Sequence, residues 1–246
     1  MTRIVIDAKN MHYTPLNKLI RQATHEGATE IILENIMGQR FIGDGLTGDV
    51  KITINGVPGG DLGMFMKGPT IEVFGNVDHA PANTMDDGDI IIHGASGDAT
   101  AHSMRGGKIF VRDDIGYRGG IHMKHYMNKS PSLIVGGSAR AFLGEYMAGG
   151  LVILFRLHDE KPYAEMGLGS GIHGGEIFIR GKVEDWTLGV GSSAHEATPE
   201  EIIRIKPLIL EFSNYYHIDA SYLLESQYTR IGPVNSRPFA GKYTWE

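Results

Sequence analysis

Three segments of the chain, each beginning 19 residues after the one before, share one pattern: residues 51–56 read KITING, residues 70–75 read TIEVFG and residues 89–94 read DIIIHG. Each segment has an apolar residue, one residue of any kind, a second apolar residue and, two positions later, a glycine. Alternation with a period of two is typical of a β-strand with one buried face. Its repetition at a fixed interval predicts strands that stack as coils of a β-solenoid.

The same pattern continues along most of the chain. Seven apolar pairs follow one another, and their first members are separated by 19, 19, 19, 24, 19 and 25 residues, so we expect loop insertions in the two longer intervals. The pairs are Ile52/Ile54, Ile71/Val73, Ile90/Ile92, Ile109/Val111, Leu133/Val135, Val152/Leu154 and Ile177/Ile179. We therefore predict an all-β fold, a parallel β-helix of about seven coils over residues 30–192, with its strands stacked in sequence order about 4.8 Å apart.

Glycine is unusually frequent, with 34 residues of 246, which is about twice the usual ~7%. Several glycines keep a fixed position within the coil, which predicts corners where the chain turns sharply or neighbouring coils approach closely. Asp113 and Arg156 stand where one such glycine would fall, and aspartate also tolerates turns. The predicted structural glycines are Gly56, Gly59, Gly63, Gly75, Gly94, Gly97, Gly116, Gly120, Gly137, Gly144 and Gly181.

Methionine recurs five residues ahead of four apolar pairs. The four residues are Met66, Met85, Met104 and Met147. Coil stacking would align them in one file inside the solenoid, where methionine fills irregular gaps. Met123 and Met166 belong to this file if the insertions leave them in register. We interpret the file as a core ladder and not as a metal or redox site, because stacking already explains the spacing.

The residue between the two apolar positions of each strand should point out of the solenoid, because side chains alternate. This outward file runs Thr53, Glu72, Ile91, Phe110, Ile134, Ile153, Phe178. Its last five members are apolar, and an exposed apolar patch of that size usually marks a contact. We predict that the apolar face of residues 202–212 covers it, or that a partner subunit does. The alternative is that the two strand faces are reversed.

Residues 1–29 form an N-terminal segment that predicts a short amphipathic helix. Thr14 followed by Pro15 is typical of a cap with a first-turn proline, and Gly27 is typical of a helix end. The predicted apolar positions of this helix are Leu16, Leu19, Ile20 and Ala23.

Residues 193–246 predict helices followed by an extended polar tail. The run Thr198-Pro-Glu-Glu201 is a capping-box start. Pro207 should kink or break the helix that follows, because proline lacks an N–H. A second helix is predicted around residues 220–226, and residues 229–246 read as extended.

The bulk composition narrows the functional class. The net charge is −6 without a run of lysine or arginine, so nothing favours nucleic acid as a partner. There is no cysteine, which excludes disulfides, cysteine nucleophiles, thiolate metal sites and cysteine-held iron–sulfur clusters in this chain. The first residues lack the apolar run of a signal peptide, and no stretch approaches the ~18 apolar residues of a membrane helix. We expect a soluble cytoplasmic protein.

Three motifs could suggest chemistry, and each has a simpler structural interpretation. Gly167-Leu-Gly-Ser-Gly171 looks like a dinucleotide loop, but a predicted strand follows it instead of a helix, which favours a turn between coils. His122 and His125 would share a face only on a helix, and they enter a predicted loop. The acid pairs at residues 86–87 and 113–114 differ in phase along the coil, which favours turn acids over a carboxylate site. We predict no catalytic, cofactor-binding or metal-ligating residue.

The glycines at fixed positions of the coil form the motif G-xx-G-xxx-G, which is complete at Gly56, Gly59 and Gly63. A Met-x-Gly-Gly run ends at Gly107 and again at Gly150. This combination resembles the C-terminal β-helix domain of the glutamate synthase large subunit. The same β-helix is a stand-alone subunit in divided glutamate synthases, in N-methylglutamate synthase-type complexes and in formylmethanofuran dehydrogenase.

The resemblance implies a right-handed β-helix that serves as a non-catalytic scaffold subunit of a glutamate synthase-like complex in nitrogen metabolism. It places the flavin, the iron–sulfur clusters and the glutaminase on partner subunits. A β-helix subunit of formylmethanofuran dehydrogenase is the alternative within the same class. A carbohydrate-active β-helix enzyme is the alternative from another class.

Overall fold

The computed structural model describes residues 2–159 and 161–235. The predicted tail falls partly on residues 236–246, which lie outside the described residues. The strands are β1 (Arg3–Asp7), β2 (Glu30–Met37), β3 (Lys51–Val57), β4 (Lys67–Phe74), β5 (Asp87–Ile92), β6 (Lys108–Val111), β7 (Ser132–Val135), β8 (Ala148–Leu154), β9 (Gly174–Arg180), β10 (Ser192–Glu196) and β11 (Tyr228–Pro233). The helices are α1 (Tyr13–His25), α2 (Pro199–Tyr216) and α3 (Ala220–Leu224), with a 3-10 turn at Asp185–Thr187.

The strands form a parallel β-helix, and the predicted stacking is confirmed. Strands β1 to β9 are neighbours in sequence order, and every pair among them is parallel. The register aligns the first members of all seven apolar pairs, from Ile52 beside Ile71 to Val152 beside Ile177. Ile31 of β2 extends the row by one coil toward the N terminus.

The interior is a continuous apolar core. The predicted methionine file is present in it: Met66, Met85, Met104, Met123 and Met147 have no solvent exposure. Met166 does not belong to the file, because it is 56% exposed in the longest insertion. Ile172 replaces it, since its N–H bonds to Gly169 as that of Met147 bonds to Gly144 in the previous coil.

The outward file is buried beneath α2, as predicted. A second apolar cluster combines the outer faces of β5 to β9 with the inner face of α2 and with the α3 region. Its members are Ile91, Phe110, Ile134, Ile153, Phe155, Phe178, Ile205, Ile209, Phe212, Leu223 and Tyr228. At the polar end of the file, Glu72 pairs with Lys51 at 2.8 Å. The file changes from polar to apolar between Glu72 and Ile91. Ile91 is the first member of the file that α2 covers, and the C-terminal end of α2 lies at this strand.

Hydrogen bonds fix α2 at both ends. Tyr216, near its C terminus, donates from its hydroxyl to the carbonyl of Ile92 at 3.0 Å. Arg204, near its N terminus, makes two bonds to Glu176 on β9. The predicted capping box at Thr198 and Glu201 is formed. No helix within residues 2–159 and 161–235 is both long and apolar enough to cross a membrane.

Three expectations for the helices are corrected by the structure. The cap of α1 is His12, whose ring accepts from the N–H of Thr14, so Thr14 is not the cap. Leu19 is not part of the buried face of α1 and is 39% exposed. Pro207 lies inside a continuous α2 and does not break it. Pro207 is on the exposed side of the helix, where water can satisfy the carbonyl that loses its N–H partner.

The C-terminal extended segment joins the solenoid sheet, which the sequence did not reveal. Strand β11 pairs antiparallel with β9 on one side and with β10 on the other. Among residues 2–159 and 161–235 the sheet ends at β10, and the last strand along this part of the chain, β11, lies inside it. The second predicted helix is present as α3.

Candidate interaction surface

One corner of the solenoid has an unusual backbone in every coil. In the last coil, Gly167, Gly169 and Gly171 have φ angles of +78°, +61° and +68°, so three alternate residues are left-handed. Glycine adopts this conformation without steric cost. The same three positions are left-handed in the earlier coils, where most are not glycine: Phe41, Gly43, Gly45; Asp61, Gly63, Phe65; Ala80, Ala82, Thr84; Ala99, Ala101, Ser103; Arg118, Gly120, His122; Phe142, Gly144, Tyr146. We call this surface the left-handed corner.

Hydrogen bonds between coils hold the corner in this conformation. In the third of these coils, the N–H groups of Ala80 and Thr84 donate to carbonyls of the following coil at 2.8 Å each. The N–H of Ala82, between them, donates to the carbonyl of Leu62 in the preceding coil at 2.8 Å. Each coil therefore bonds to both neighbours through alternate residues, which is possible only while the left-handed angles are kept.

The middle position faces the core and must be small. A methyl group on Gly63 would lie 2.8 Å from Cδ1 of Ile90, and Ala82 and Ala101 have no solvent exposure. The two outer positions are much less restricted and carry large side chains, among them Phe65, which is 53% exposed. A left-handed residue other than glycine costs roughly 1–2 kcal/mol. Strain of this kind that is kept at a surface is a reason to look for a function there.

Polar side chains link several coils along the corner. The amide of Asn83 donates to Asp61 at 3.0 Å, which leaves its oxygen 3.2 Å from Nδ1 of His102. An amide oxygen can only accept, so Nδ1 of His102 carries the proton and Nε2 is an open acceptor. Burial is the main cause that lowers the pKa of His102, and His122 lowers it further, against the opposing effect of Asp61. The lowered pKa favours the neutral form of His102, and its contact with Asn83 joins two neighbouring coils.

Aromatic rings continue this row toward the last coil. The ring of His122 lies edge-on to that of His102 at 6.0 Å and stacks on Tyr146 at 5.5 Å. Tyr146 in turn packs against the backbone of Gly171. The row crosses five coils of the solenoid and presents faces and edges of rings to solvent.

Arginine stacks on aromatic rings beside the corner. The guanidinium of Arg118 lies 5.3 Å from the ring centre of Phe142 and pairs with Glu145 at 2.9 Å. The Arg118 side chain is 53% exposed and that of Glu145 is 13% exposed, so the guanidinium is the outer group. Arg140 over Tyr117 repeats the arrangement. Arginine and aromatic residues are the types enriched where protein interfaces gain most of their binding energy.

The glycine positions predicted from the sequence belong to different corners. Gly63, Gly120 and Gly144 take the middle left-handed position, and each is close to a core side chain. Two further columns lack room for a side chain because neighbouring backbone or side-chain atoms approach closely: Gly56, Gly75, Gly94 and Gly137 form one, and Gly59, Gly97 and Gly116 form the other. Gly181 has φ +86° but open space around it, so it serves the turn and not the packing. The motif at residues 167–171 is the turn between coils that the sequence predicts.

The histidine and aspartate motifs remain separate in space. His122 stacks on Tyr146, whereas His125 packs against the backbone at Gly149. Lys129 pairs with Asp86 at 3.2 Å, and Arg112 pairs with Asp113 at 2.8 Å. Across residues 2–159 and 161–235 there is no group of three or more histidine, aspartate or glutamate side chains that could hold a metal ion.

One cleft interrupts the regular stacking. A row of single-residue bridges joins Val77, Ser96, Ile115 and Ala139 and stops there. In the next coil, Tyr163 bridges to Val183 instead, and its hydroxyl donates to the carbonyl of Ala139 at 2.6 Å. A cleft of about 540 Å³ opens at this break. Arg140 crosses its rim to pair with Glu165 at 3.2 Å.

Sequence reasoning missed the left-handed corner. The signal was present in Gly167, Gly169 and Gly171, which show the alternate glycines without interruption. Aligning the other coils on this stretch would have placed Phe142, His122 and their equivalents at the outer left-handed positions.

Comparison with known proteins points to one family. A family model described as the GXGXG motif matches residues 14–233. The chain is also 52% identical, over 255 residues, to a protein of Methanocaldococcus jannaschii described as uncharacterized protein MJ1350. That match covers 99% of this chain and 97% of the relative.

Proposed function

We propose a function from the family of this chain, which belongs to the GXGXG motif family that includes the C-terminal domain of glutamate synthase. In this proposal the chain is a non-catalytic scaffold subunit of a glutamate synthase-like enzyme. In this role it holds a glutaminase subunit and a synthase subunit in register. Ammonia released from glutamine then reaches the second subunit without escaping to solvent. The flavin and the iron–sulfur clusters belong to the partner subunits, and the complex works in the cytoplasm.

The observation that carries the proposal is the end-to-end match to a separate chain of nearly the same length. In that relative, a fold that forms one domain of a larger enzyme makes up nearly the whole chain, which is what a divided enzyme needs. The geometry supports the same role. The sheet flank is closed by α2, and the left-handed corner leaves stacked arginine and aromatic side chains exposed for a partner.

Reconstitution tests the proposal. The chain is mixed with a glutaminase subunit and a flavin-containing synthase subunit of the same organism, and glutamate formation is measured with glutamine or with ammonium as nitrogen donor. We expect the chain to raise the glutamine-dependent rate several-fold and to leave the ammonium-dependent rate unchanged. Two equal rates with and without the chain, or no stable complex, would contradict the scaffold role.

A matched pair of variants localises the contact. The corner variant combines Arg118→Gln with Tyr146→Ser, and the control combines Arg3→Gln with Leu210→Ser. Both pairs remove one exposed arginine and one partly exposed apolar or aromatic side chain. We expect only the corner variant to lower the glutamine-dependent rate.

A further inference from the structure

The first strand of the solenoid has an open edge. Within residues 2–159 and 161–235, strand β1 is the end of the sheet and pairs with β2 on one side only. The N–H of Ala8, directly after β1, donates to the carbonyl of Glu34 in β2 at 2.9 Å. Backbone groups of successive strand residues point to alternate sides, so the even-numbered residues bond to β2 and the odd-numbered residues of β1 direct their N–H and C=O groups to the open side. An edge of this kind is a template for pairing with another strand.

The sequence of β1 is complementary to itself. The strand reads Arg3-Ile-Val-Ile-Asp7. If two copies of it run antiparallel with Val5 opposite Val5, then Arg3 of each copy lies opposite Asp7 of the other. Ile4 lies opposite Ile6 in the same way. This register also joins odd-numbered residues to odd-numbered residues, so the open backbone groups of one copy meet those of the other.

Asp7 has a free position for the arginine of a second copy. Its Oδ1 accepts from the N–H of Lys9 and from the amide of Asn35, at 2.9 Å each. Both bonds go to the same oxygen, and Asp7 has no ion pair within the described part of the chain, residues 2–159 and 161–235. Its neighbour on β2 is Glu34, a second carboxylate. A guanidinium group from outside would therefore meet two negative charges.

Apolar residues on the outer face of the sheet support the same pairing. Val5 is 60% exposed, and Ile32 lies beside it on β2. The helix α2 does not cover these two residues, since the cluster beneath it begins at Ile91. In the antiparallel pair, Val5 and Ile32 of both copies form one apolar row across the joined sheet, with the charged residues on either side of it.

Helix α1 presents a further apolar residue toward the same end of the solenoid. Asn17 and Arg21 bond to the carbonyls of Arg40 and Asp44 in the next coil, at 2.9 Å and 2.7 Å. Leu19 lies about 160° around the helix from both of them, so it points away from the next coil, and it is 39% exposed. A second copy joined at β1 would shield Leu19 from solvent.

We propose that the chain forms a two-fold symmetric dimer in which β1 pairs antiparallel with β1 of a second copy, centred on Val5. The two solenoids then share one continuous sheet. Arg118 and Tyr146 follow β6 and β7, many coils away from β1. The dimer is therefore independent of the proposed scaffold role and forms whether or not other subunits bind.

The opposite end of the sheet lacks these features. Strand β10 reads Ser192-Ser-Ala-His-Glu196, which contains no large aliphatic residue. Antiparallel self-pairing centred on Ala194 would place Glu196 opposite Ser192, so no charge is matched. Only β1 combines apolar and charge complementarity, and pairing β1 with itself gives a closed dimer, whereas pairing β1 with β10 would give a filament.

Light scattering coupled to size-exclusion chromatography tests the proposal on the full chain. We expect the unmodified protein to have the mass of two chains at micromolar concentrations, without any other subunit present. Val5→Lys places two cations opposite each other at the centre of the pair, where like charges are destabilising, so this variant should be a monomer. Val190→Lys, at a residue 86% exposed that lies just before β10, should remain a dimer.

A charge exchange tests the register. Arg3→Asp brings carboxylates together at both ends of the pair, and Asp7→Arg brings guanidinium groups together. Each variant alone should weaken dimerisation by roughly tenfold or more. In an equal mixture, one copy of each variant forms a pair in which both ends again join opposite charges, so the dimer should return. Mixing Val5→Lys with Val5→Glu repeats this test with Asp7 and its bonds within the chain unchanged.

Three results would overturn the proposal. The first is an unmodified protein that is monomeric at micromolar concentrations. The second is a dimer that Val5→Lys leaves intact, or that Val190→Lys disrupts to the same extent. The third is a failure of the Val5→Lys and Val5→Glu mixture to form a dimer although circular dichroism shows that both variants are folded.

Discussion

The ring of Phe212 on α2 lies 4.6 Å from the ring of Phe155, centre to centre, with the two planes inclined at 57°. Phe155 directly follows β8, so this contact joins the helix to the coil next to the last one of the solenoid. Both rings have no solvent exposure. The packing of α2 onto the sheet thus depends on a fully dry aromatic contact.

Removing this contact should destabilise the protein strongly. We expect Phe212→Ala to lower the free energy of unfolding by about 3–5 kcal/mol, the usual loss for a buried phenylalanine. Leu210→Ala on the exposed side of the same helix should change it by less than about 0.5 kcal/mol. Urea denaturation followed by circular dichroism measures both. Similar values for the two variants would show that α2 is not held by its inner face.

Glu176 should make stability depend on pH in the acid range. Burial raises the pKa of Glu176, but the hydrogen bonds and charges of Arg204 and Arg230 together lower it by more. The pKa in the folded protein is therefore below the ordinary value of 4.5. The unfolded chain then binds a proton at higher pH than the folded one, so the stabilisation is complete above about pH 4.5 and is lost as the pH falls through the folded pKa. Glu176→Gln should flatten this decline. Glu200→Gln, at an exposed residue of the same region, should retain it.

Substitutions at two glycines of the left-handed corner can distinguish the cost of backbone strain from the cost of steric overlap. Gly144 and Gly45 both have positive φ, at +68° and +60°. A methyl group on Gly144 would overlap Cδ1 of Ile177, whereas one on Gly45 would meet nothing within 4 Å. We expect Gly45→Ala to cost about 1 kcal/mol from backbone strain alone. Gly144→Ala should cost about 1–3 kcal/mol more, because the core is overpacked. Equal losses in thermal denaturation would contradict the close packing of the middle position.

Phe65 should show opposite effects on stability and on assembly. Its φ is +56° and its side chain is half exposed, so Phe65→Gly should raise the free energy of unfolding by about 0.5–1 kcal/mol as strain is relieved. Phe74 is exposed to a similar extent but has ordinary angles, and Phe74→Gly should be destabilising. If the corner is the contact surface, the more stable Phe65→Gly protein should bind the partner subunits more weakly. Affinity of the reconstituted complex measures this.

The isolated chain should have no catalytic activity of the proposed complex. It has no cysteine to act as a glutaminase nucleophile. We expect no release of ammonia from glutamine, no reductase activity, no cleavage of polysaccharide and no flavin absorbance band in the purified protein. Turnover of glutamine or a bound flavin would require an active site in this chain and would contradict the scaffold proposal.

The sequence was sufficient for the solenoid because its signals are local and repeated. Ile71 and Val73 flank Glu72 in the same way as the equivalent residues of every other coil, so one pattern specifies strand, face and neighbour together. The sequence also predicted that the outward apolar file needs a cover, with residues 202–212 or a partner subunit as the two candidates, and the structure places α2 there.

Most coils carry no local signal for the left-handed corner, and the alternate glycines at residues 167, 169 and 171 are the one stretch that shows it without interruption. Phe142, Arg118 and Tyr146 have no intrinsic preference for positive φ, and the bonds that impose it come from adjacent coils. The return of β11 between β9 and β10 was also hidden, because antiparallel pairing of Thr229 with Ile179 joins residues far apart in sequence. The prediction that Pro207 breaks its helix was wrong for a different reason. The effect of a proline depends on which side of the helix faces water, and the sequence alone did not specify that side.

The methionine file has a consequence for oxidative damage. Terminal methyl groups in the file touch the glycine backbone of the next coil; that of Met66, for example, would lie 3.2 Å from a Cβ on Gly88. A sulfoxide oxygen there would have no room and no polar partner. Met37 and Met127, at 87% and 86% exposed, would meet peroxide first. Surface methionines can thus be oxidised and repaired in the folded protein. The buried file becomes reactive only after the coils separate. Oxidation of the buried methionines therefore indicates that the protein has unfolded.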